Sequence, residues 1–291
     1  MIQDFTYLKP ESVKEALSML AEHGEAAHLI CGGQSLLIVM REGMVTTDYL
    51  VDIKHLKELD YIKFDPKDGL RIGATTVHHS VEHSDVVRKN YPALWDVEER
   101  LANVQIRNWG SMGGNIAHAD PAEDPATVYL AYDAEITLQS SSKGSRTIPV
   151  DDFLLGFYET AAEHDEMVTE IHIPAPEPKT GSAFTKFTLL ENDLGVASVT
   201  ARITLDGGGK CKSAAIALGC VGDKTLRAKE AEALLAGKGY DEKLFEQAGK
   251  VAAENCEPNA DIHATEETRR QQVAVLTKRM LKKAWERAKE A

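Results

Sequence analysis

Cysteine is scarce in this chain and badly placed for the usual metal sites. The 291 residues include four, Cys31, Cys211, Cys220 and Cys256, and no two form a C-x-x-C pair. Neither zinc-ribbon nor iron–sulfur ligand spacing is present, so any metal-centred electron transfer needs another chain. Cys31 and Cys220 lie in apolar, strand-like runs and read as small buried hydrophobes. Long apolar runs are missing as well. The longest aliphatic stretch, Leu36-Leu37-Ile38-Val39-Met40, is far too short to span a bilayer. The segment Met1-Ile2-Gln3-Asp4-Phe5 lacks the basic head and apolar core of a signal peptide, and a cytoplasmic location is expected. Positive charge is outweighed: 33 Lys and Arg face 46 Asp and Glu, a formal net charge of −13. That balance argues against nucleic acid and anionic membrane surfaces as partners. There is no G-x-G-x-x-G and no G-x-x-x-x-G-K-S/T, which excludes a Rossmann finger and a P-loop. Ser-His-Asp ordering, a Cys nucleophile set and paired carboxylates at a meaningful spacing are all missing.

What is present is a pair of glycine-rich stretches about eighty residues apart. The first is Cys31-Gly32-Gly33-Gln34-Ser35-Leu36-Leu37; the second runs Gly110-Ser111-Met112-Gly113-Gly114-Asn115-Ile116-Ala117-His118-Ala119-Asp120-Pro121. Glycine lets backbone approach a ligand closely and reaches positive φ without strain. Consecutive backbone N–H groups in such loops form concave anion sites. Two loops with Ser and Asn alongside predict a long ligand whose diphosphate is gripped from both sides.

The length suits two domains. Ser12-Val13-Lys14-Glu15 is a capping box that opens a helix ending at Gly24, with Val13, Leu17 and Leu20 on one face. Strands are expected at 27–31, 49–53 and 70–74, with a helical turn at 36–40 between the first two. A helix is expected over 77–88. Another starts at Pro92, where Leu94, Val97, Leu101 and Val104 recur at helical spacing. Residues 134–138 and 146–148 read as a hairpin, and 167–173 as an edge or terminal strand ending at Pro174. The stretch Pro174-Ala175-Pro176-Glu177-Pro178-Lys179-Thr180-Gly181 marks a linker. Beyond it come strands at 183–189, 196–205 and 210–221 and three helices, an antiparallel sheet covered by helices. The division is thus 1–175, with lobes near 1–55 and 56–175, followed by 182–291.

The paired loops, in order and with their flanks, resemble the FAD-binding medium subunits of molybdenum hydroxylases, the family of carbon monoxide dehydrogenase medium chains and xanthine dehydrogenase FAD subunits. The similarity continues through Glu166-Met167-Val168-Thr169-Glu170-Ile171-His172-Ile173-Pro174 and Phe184-Thr185-Lys186-Phe187, and less specifically through Thr268-Arg269-Arg270 and Lys278-Arg279-Met280-Leu281. It implies an α+β fold: a two-lobed FAD-binding domain of the PCMH type, then a CO dehydrogenase flavoprotein C-terminal-like domain. It implies FAD held by Cys31, Gly32, Gly33, Gln34, Ser35 and Leu36 on one side of the diphosphate. Gly110, Ser111, Gly113, Gly114 and Asn115 take the other side, with Asp124, Val168, Lys186 and Phe187 near the ribityl chain, ring or adenine. It further implies a [2Fe–2S] small subunit and a molybdopterin large subunit as partners in a heterotrimer or its dimer, and NAD, a quinone or another external acceptor. Two departures stand out: Ser111-Met112 replaces the usual threonine and branched aliphatic, and no arginine follows the Lys-Phe strand in Thr188-Leu189-Leu190-Glu191-Asn192.

Blander readings run alongside. Lys186 fits the solvated face of a strand as well as a flavin contact. Asp124 fits a helix cap before Pro125 as well as a hydroxyl acceptor. His79 and His83 are one helical turn apart and could share a metal, but no acidic or cysteine partner at suitable spacing is read beside them, solvated or capping roles explain them, and no metal site is expected. His118 reads as a buttress of the second loop. The functional alternatives are a self-contained flavin oxidase or reductase, with His78 or His118 as candidate covalent attachment points, and a non-redox nucleotide-binding scaffold.

Overall fold

The computed structural model describes residues 2–190 and 193–291. The chain opens with β1 (Thr6–Leu8), α1 (Val13–His23), β2 (Ala27–Ile30), α2 (Leu36–Arg41) and β3 (Tyr49–Asp52). Ser12 Oγ accepts from the Glu15 amide at 3.2 Å, as the capping sequence predicts. The Glu15 carboxylate reaches the Glu11 amide instead of returning to Ser12. The strands pair in parallel in the order β1-β3-β2. Parallel neighbours need crossovers, and α1 and α2 supply them. Leu17, Leu20, Val51 and Ile53 form a small core that also takes Met167 from the second lobe.

The second lobe begins with β4 (Ile62–Asp65) and β5 (Gly69–Gly73). The helix expected over 77–88 is two, α3 (His78–Glu82) and α4 (Asp85–Asn90), because Ser84 Oγ caps the Val87 amide and restarts the chain. The next expectation divides in the same way, into α5 (Pro92–Glu98) and α6 (Val104–Trp109). Ala102 takes φ 44° and Asn103 Oδ1 caps the Ile106 amide at 3.0 Å. A local cap thus overrides an apolar period that runs through it, and Val104 ends up on the surface. α7 (Met112–His118) and α8 (Asp124–Ala131) follow, then β6 (Glu135–Ser140), β7 (Gly144–Pro149), α9 (Val150–Phe153), β8 (Leu154–Gly156), β9 (Glu159–Thr160) and β10 (Glu166–Pro174). The main sheet is antiparallel, ordered β4-β5-β10-β6-β7, so β10 is its central strand and not an edge. Pro174 is harmless there because it is the last residue of the strand.

The remaining strands, β11 (Thr180–Phe187), β12 (Ala197–Leu205), β13 (Cys211–Gly219) and β14 (Leu226–Arg227), form one antiparallel sheet in that order. α10 (Lys229–Leu235), α11 (Glu242–Glu254) and α12 (Glu266–Glu290) complete the chain. The sheet is covered on both faces. Ala183, Val199, Ile203 and Leu218 pack with Leu281 and Trp285 of α12, while Phe184, Ala215 and Ala217 join the core of the second lobe. α12 lies so close to β11 that a side chain on Gly181 would run into the Ala284 carbonyl. It also reaches the second lobe: Arg287 donates to both oxygens of buried Asp96 at 2.7 and 2.9 Å, and Asp96 also accepts from the Phe184 amide.

Candidate functional site

The first glycine stretch leaves β2 and turns into α2. Gly33 has φ +68°, a value glycine takes without strain. Among the described residues, the amides of Gly33, Gln34 and Ser35 donate no hydrogen bond. Gln34 folds back so that its Nε2 donates to the Gly32 carbonyl at 3.0 Å. Ser35 starts α2 without using its hydroxyl in the cap. Three free amides and a free hydroxyl in one turn make a concave donor surface suited to an anion. Leu36 opens α2 half-buried behind it. Burial pushes the Cys31 thiol up, against a smaller pull from the Ser111 hydroxyl.

The second stretch is built differently, because its amides are spent internally. Met112 donates to the Thr76 carbonyl and Gly113 to the Ala74 carbonyl, both at 2.9 Å. Ser111 Oγ caps α7 by accepting from the Gly114 amide at 3.2 Å. Gly113 is small because a Cβ there would sit 2.5 Å from Ala74 Cβ. Gly114 is exposed. Asn115 is half-buried, with an Oδ1 that has no partner. The two stretches touch. A side chain on Gly32 would run into the Trp109 carbonyl and come within 2.7 Å of Gly110 Cα. Lys54, just past β3, donates to that same carbonyl at 3.2 Å, and its Nζ lies 3.8 Å from the Trp109 ring centre. The lobes therefore meet along the glycines.

Asp124 and Lys186 pair with each other. Nζ lies 2.6 Å from Oδ2, and the side chains are 5% and 6% exposed. Lys186 is thus not on a solvated strand face, and α8 is capped from Glu123, with Asp124 its first residue. Burial pushes the Asp124 carboxyl up, against the pull of Lys186. Its Oδ1 is buried without a partner. Val168 is buried in the second-lobe core next to a β-bulge, and Phe187 packs against the C-terminal core. The structure brings Asp124 of α8 and Lys186 of β11 together, places Asn115 half-buried on α7, and buries Val168 in the second-lobe core.

His79, Glu82 and His83 do converge, with ligand atoms within 4.8 Å of one another. Glu82 is thus an acidic partner at suitable spacing, contrary to the sequence reading, because a residue three after His79 lies on the same helix face. Arg107 already holds it, Nε to Oε2 at 2.9 Å and Nη2 to Oε1 at 3.3 Å. His118 stacks on Tyr158 at 4.9 Å, whose hydroxyl donates to Asp120. Of the stretch without arginine, Glu191 and Asn192 lie outside the described residues. Lys54 and Trp109 carry no sequence signal of their own, since they matter only because the two lobes dock there.

This donor set fits FAD. Free amides in the first stretch suit a diphosphate, and the missing Cβ atoms let backbone come close. The unpartnered Asn115 Oδ1 and Asp124 Oδ1 are acceptors placed for hydroxyl donors, which a ribityl chain and ribose supply. Among the described residues no helix is long and apolar enough to cross a membrane.

Comparison with known proteins agrees with this reading. Residues 3–176 match the family described as the FAD binding domain in molybdopterin dehydrogenase, and 182–284 match the CO dehydrogenase flavoprotein C-terminal domain. The glyceraldehyde dehydrogenase medium chain of Sulfolobus acidocaldarius is 33% identical over 96% of this chain and 98% of its own. The carbon monoxide dehydrogenase medium chain of Hydrogenophaga pseudoflava is 32% identical over 97% and 98%. A chain of the solved carbon monoxide dehydrogenase from that organism superposes with a TM-score of 0.94 at 34% identity, covering 99% of both chains. Quinoline 2-oxidoreductase from Pseudomonas putida 86 gives 0.93 at 31%, with the same coverage. This chain belongs to the FAD-binding medium subunits of molybdenum hydroxylases, flavoprotein subunits of oxidoreductase complexes.

Proposed function

We propose that this chain takes electrons from a [2Fe–2S] subunit, itself supplied by a molybdopterin-bearing subunit, and delivers them to NAD, a quinone or another external acceptor. The complex is a cytoplasmic heterotrimer or its dimer. Bound FAD supplies the conversion between one-electron and two-electron transfer. The observation that carries the reading is the docking of the two glycine stretches, which leaves the first with unspent amides at the seam.

Each residue then has a task. The amides of Gly33, Gln34 and Ser35 and the Ser35 hydroxyl bind the diphosphate. Gly32 and Gly110 keep the seam closed, with Cys31 and Leu36 lining it. Ser111 and Gly113 fix α7 so that Gly114 and Asn115 face the cofactor. Asp124 and Asn115 accept from its hydroxyls. Lys186, Phe187 and Val168 surround the more distant part of the site. The units 1–175 and 182–291 are the two domains. The organic substrate is oxidised on the molybdenum-bearing partner, which is in keeping with relatives named for substrates as different as carbon monoxide, glyceraldehyde and caffeine.

Purification from the native host, with metal analysis and identification of co-eluting chains, tests the assignment. The expected result is a yellow complex of three kinds of subunit containing iron and molybdenum. Isolation as a single chain that oxidises an organic substrate unaided would overturn it.

A further inference from the structure

Behind the second glycine stretch lies an ion pair that the cofactor contacts do not use. His78 opens α3 and Glu98 closes α5; their side chains are 3% and 0% exposed, and Nδ1 meets Oε2 at 2.9 Å. An isolated carboxylate in such surroundings is prohibitively costly, and among the described residues the imidazole is the only hydrogen-bond partner of the Glu98 side chain. The imidazole is also fastened to the loop. The His78 amide donates to the Gly110 carbonyl at 3.1 Å, and ring Cδ2 lies 3.1 Å from where a Cβ on Gly110 would stand. With Nδ1 spent on Glu98, the opposite edge of the ring faces the glycine that meets Gly32.

The pair does not act alone. Glu98 Oε1 and the Tyr129 hydroxyl on α8 are buried without partners. The charges of Glu98 and His78 reach Asp124, whose own partner is Lys186. Two buried ion pairs thus lie in electrostatic contact beside one cofactor cradle. Well-packed hydrocarbon in place of such pairs is often no less stable, so stability alone is a poor reason to keep them. Fixed charges in dry surroundings do bias the electronics of a bound cofactor.

We propose that Glu98 and His78 are a positioning pair for FAD: Glu98 holds the imidazole against Gly110, and the field of this buried polar pair biases the redox potential of the flavin that the loop helps to hold. The inference rests on FAD binding in the cradle. It is tested with the full chain loaded with FAD, comparing wild type, His78→Gln and Glu98→Gln. The midpoint potential is read by reductive titration against a reference dye, and thermal unfolding is measured on the FAD-free chains. Either variant leaves a lone partner in surroundings too dry for a single charge, so both abolish the field of the pair and shift the potential in the same direction. A shift of one sign in both variants supports the proposal, whatever they lose in melting temperature. Potentials unchanged in both variants, or moved in opposite directions, overturn it and leave the pair a purely structural one. If His78→Gln does not fold, Glu98→Gln decides alone, by a shift or none. A wild-type chain that takes up no FAD overturns the cofactor reading itself, an outcome distinct from an unshifted potential.

Discussion

Glu123, just before α8, sits in surroundings that favour its acid form. Burial pushes its carboxyl well above the usual range, and Asp120 and Asp124 add repulsion. An acid whose pKa is higher in the folded chain favours folding while protonated, and that contribution is lost as pH rises through the folded value. Glu123→Gln should therefore melt above wild type at pH 7–8, where the raised carboxyl must give up the proton it favours in the folded chain. The two melting curves should converge below about pH 4, where the carboxyl is protonated in both states. A pH series of thermal melts checks this, and a constant offset across the range would count against it. At this scale the sequence reveals which residues matter better than what they do. Lys186 and Asp124 are visible as polar residues in apolar contexts, but they stand 62 positions apart and only the fold makes them partners. The cysteines are simpler: burial pushes the Cys220 thiol up to about 12, which suits its reading as a hydrophobe, and burial likewise pushes Cys211 to about 11.

At the scale of elements, the two glycine stretches look alike in sequence and behave differently in the fold. Both are legible as close-approach backbone. Their division of labour is not, because it depends on residues 74–76, which take up the amides of the second stretch. Helix boundaries show the same limit: the apolar period carries through Asn103, and the side-chain cap stops the helix there all the same. The seam itself can be tested. Gly32→Ala would push a methyl into the Trp109 carbonyl and part the loops. FAD affinity is expected to fall at least tenfold, with a stability loss of about 1–3 kcal/mol from overpacking. Gly207→Ala, which meets nothing within 4 Å, should leave both unchanged. Flavin-fluorescence titration and urea unfolding measure the two effects, and equal behaviour of the variants would remove the seam from the binding site.

For the whole molecule, the C-terminal sheet is the joint. Ala197–Leu205 is buried along nearly its whole length because α12 covers one face and α8 of the second lobe the other, while α5 packs on β11. The Asp124–Lys186 pair crosses that joint. Lys186→Met strands a buried carboxylate and should cost about 3–5 kcal/mol in the FAD-free chain. Adding Asp124→Leu should recover most of the loss, because the pair as a unit is worth little beside hydrocarbon. A double-mutant cycle by urea unfolding measures it, and additive losses would mean that the two residues stabilise the joint independently. Asp96 binds across the same joint, and that has a consequence in time. Its partner Arg287 is 191 residues downstream, and a growing chain emerges N-terminus first. Until α12 emerges, Asp96 can reach the Phe184 amide but not Arg287, and the joint between the second lobe and the C-terminal sheet lacks its last clasp.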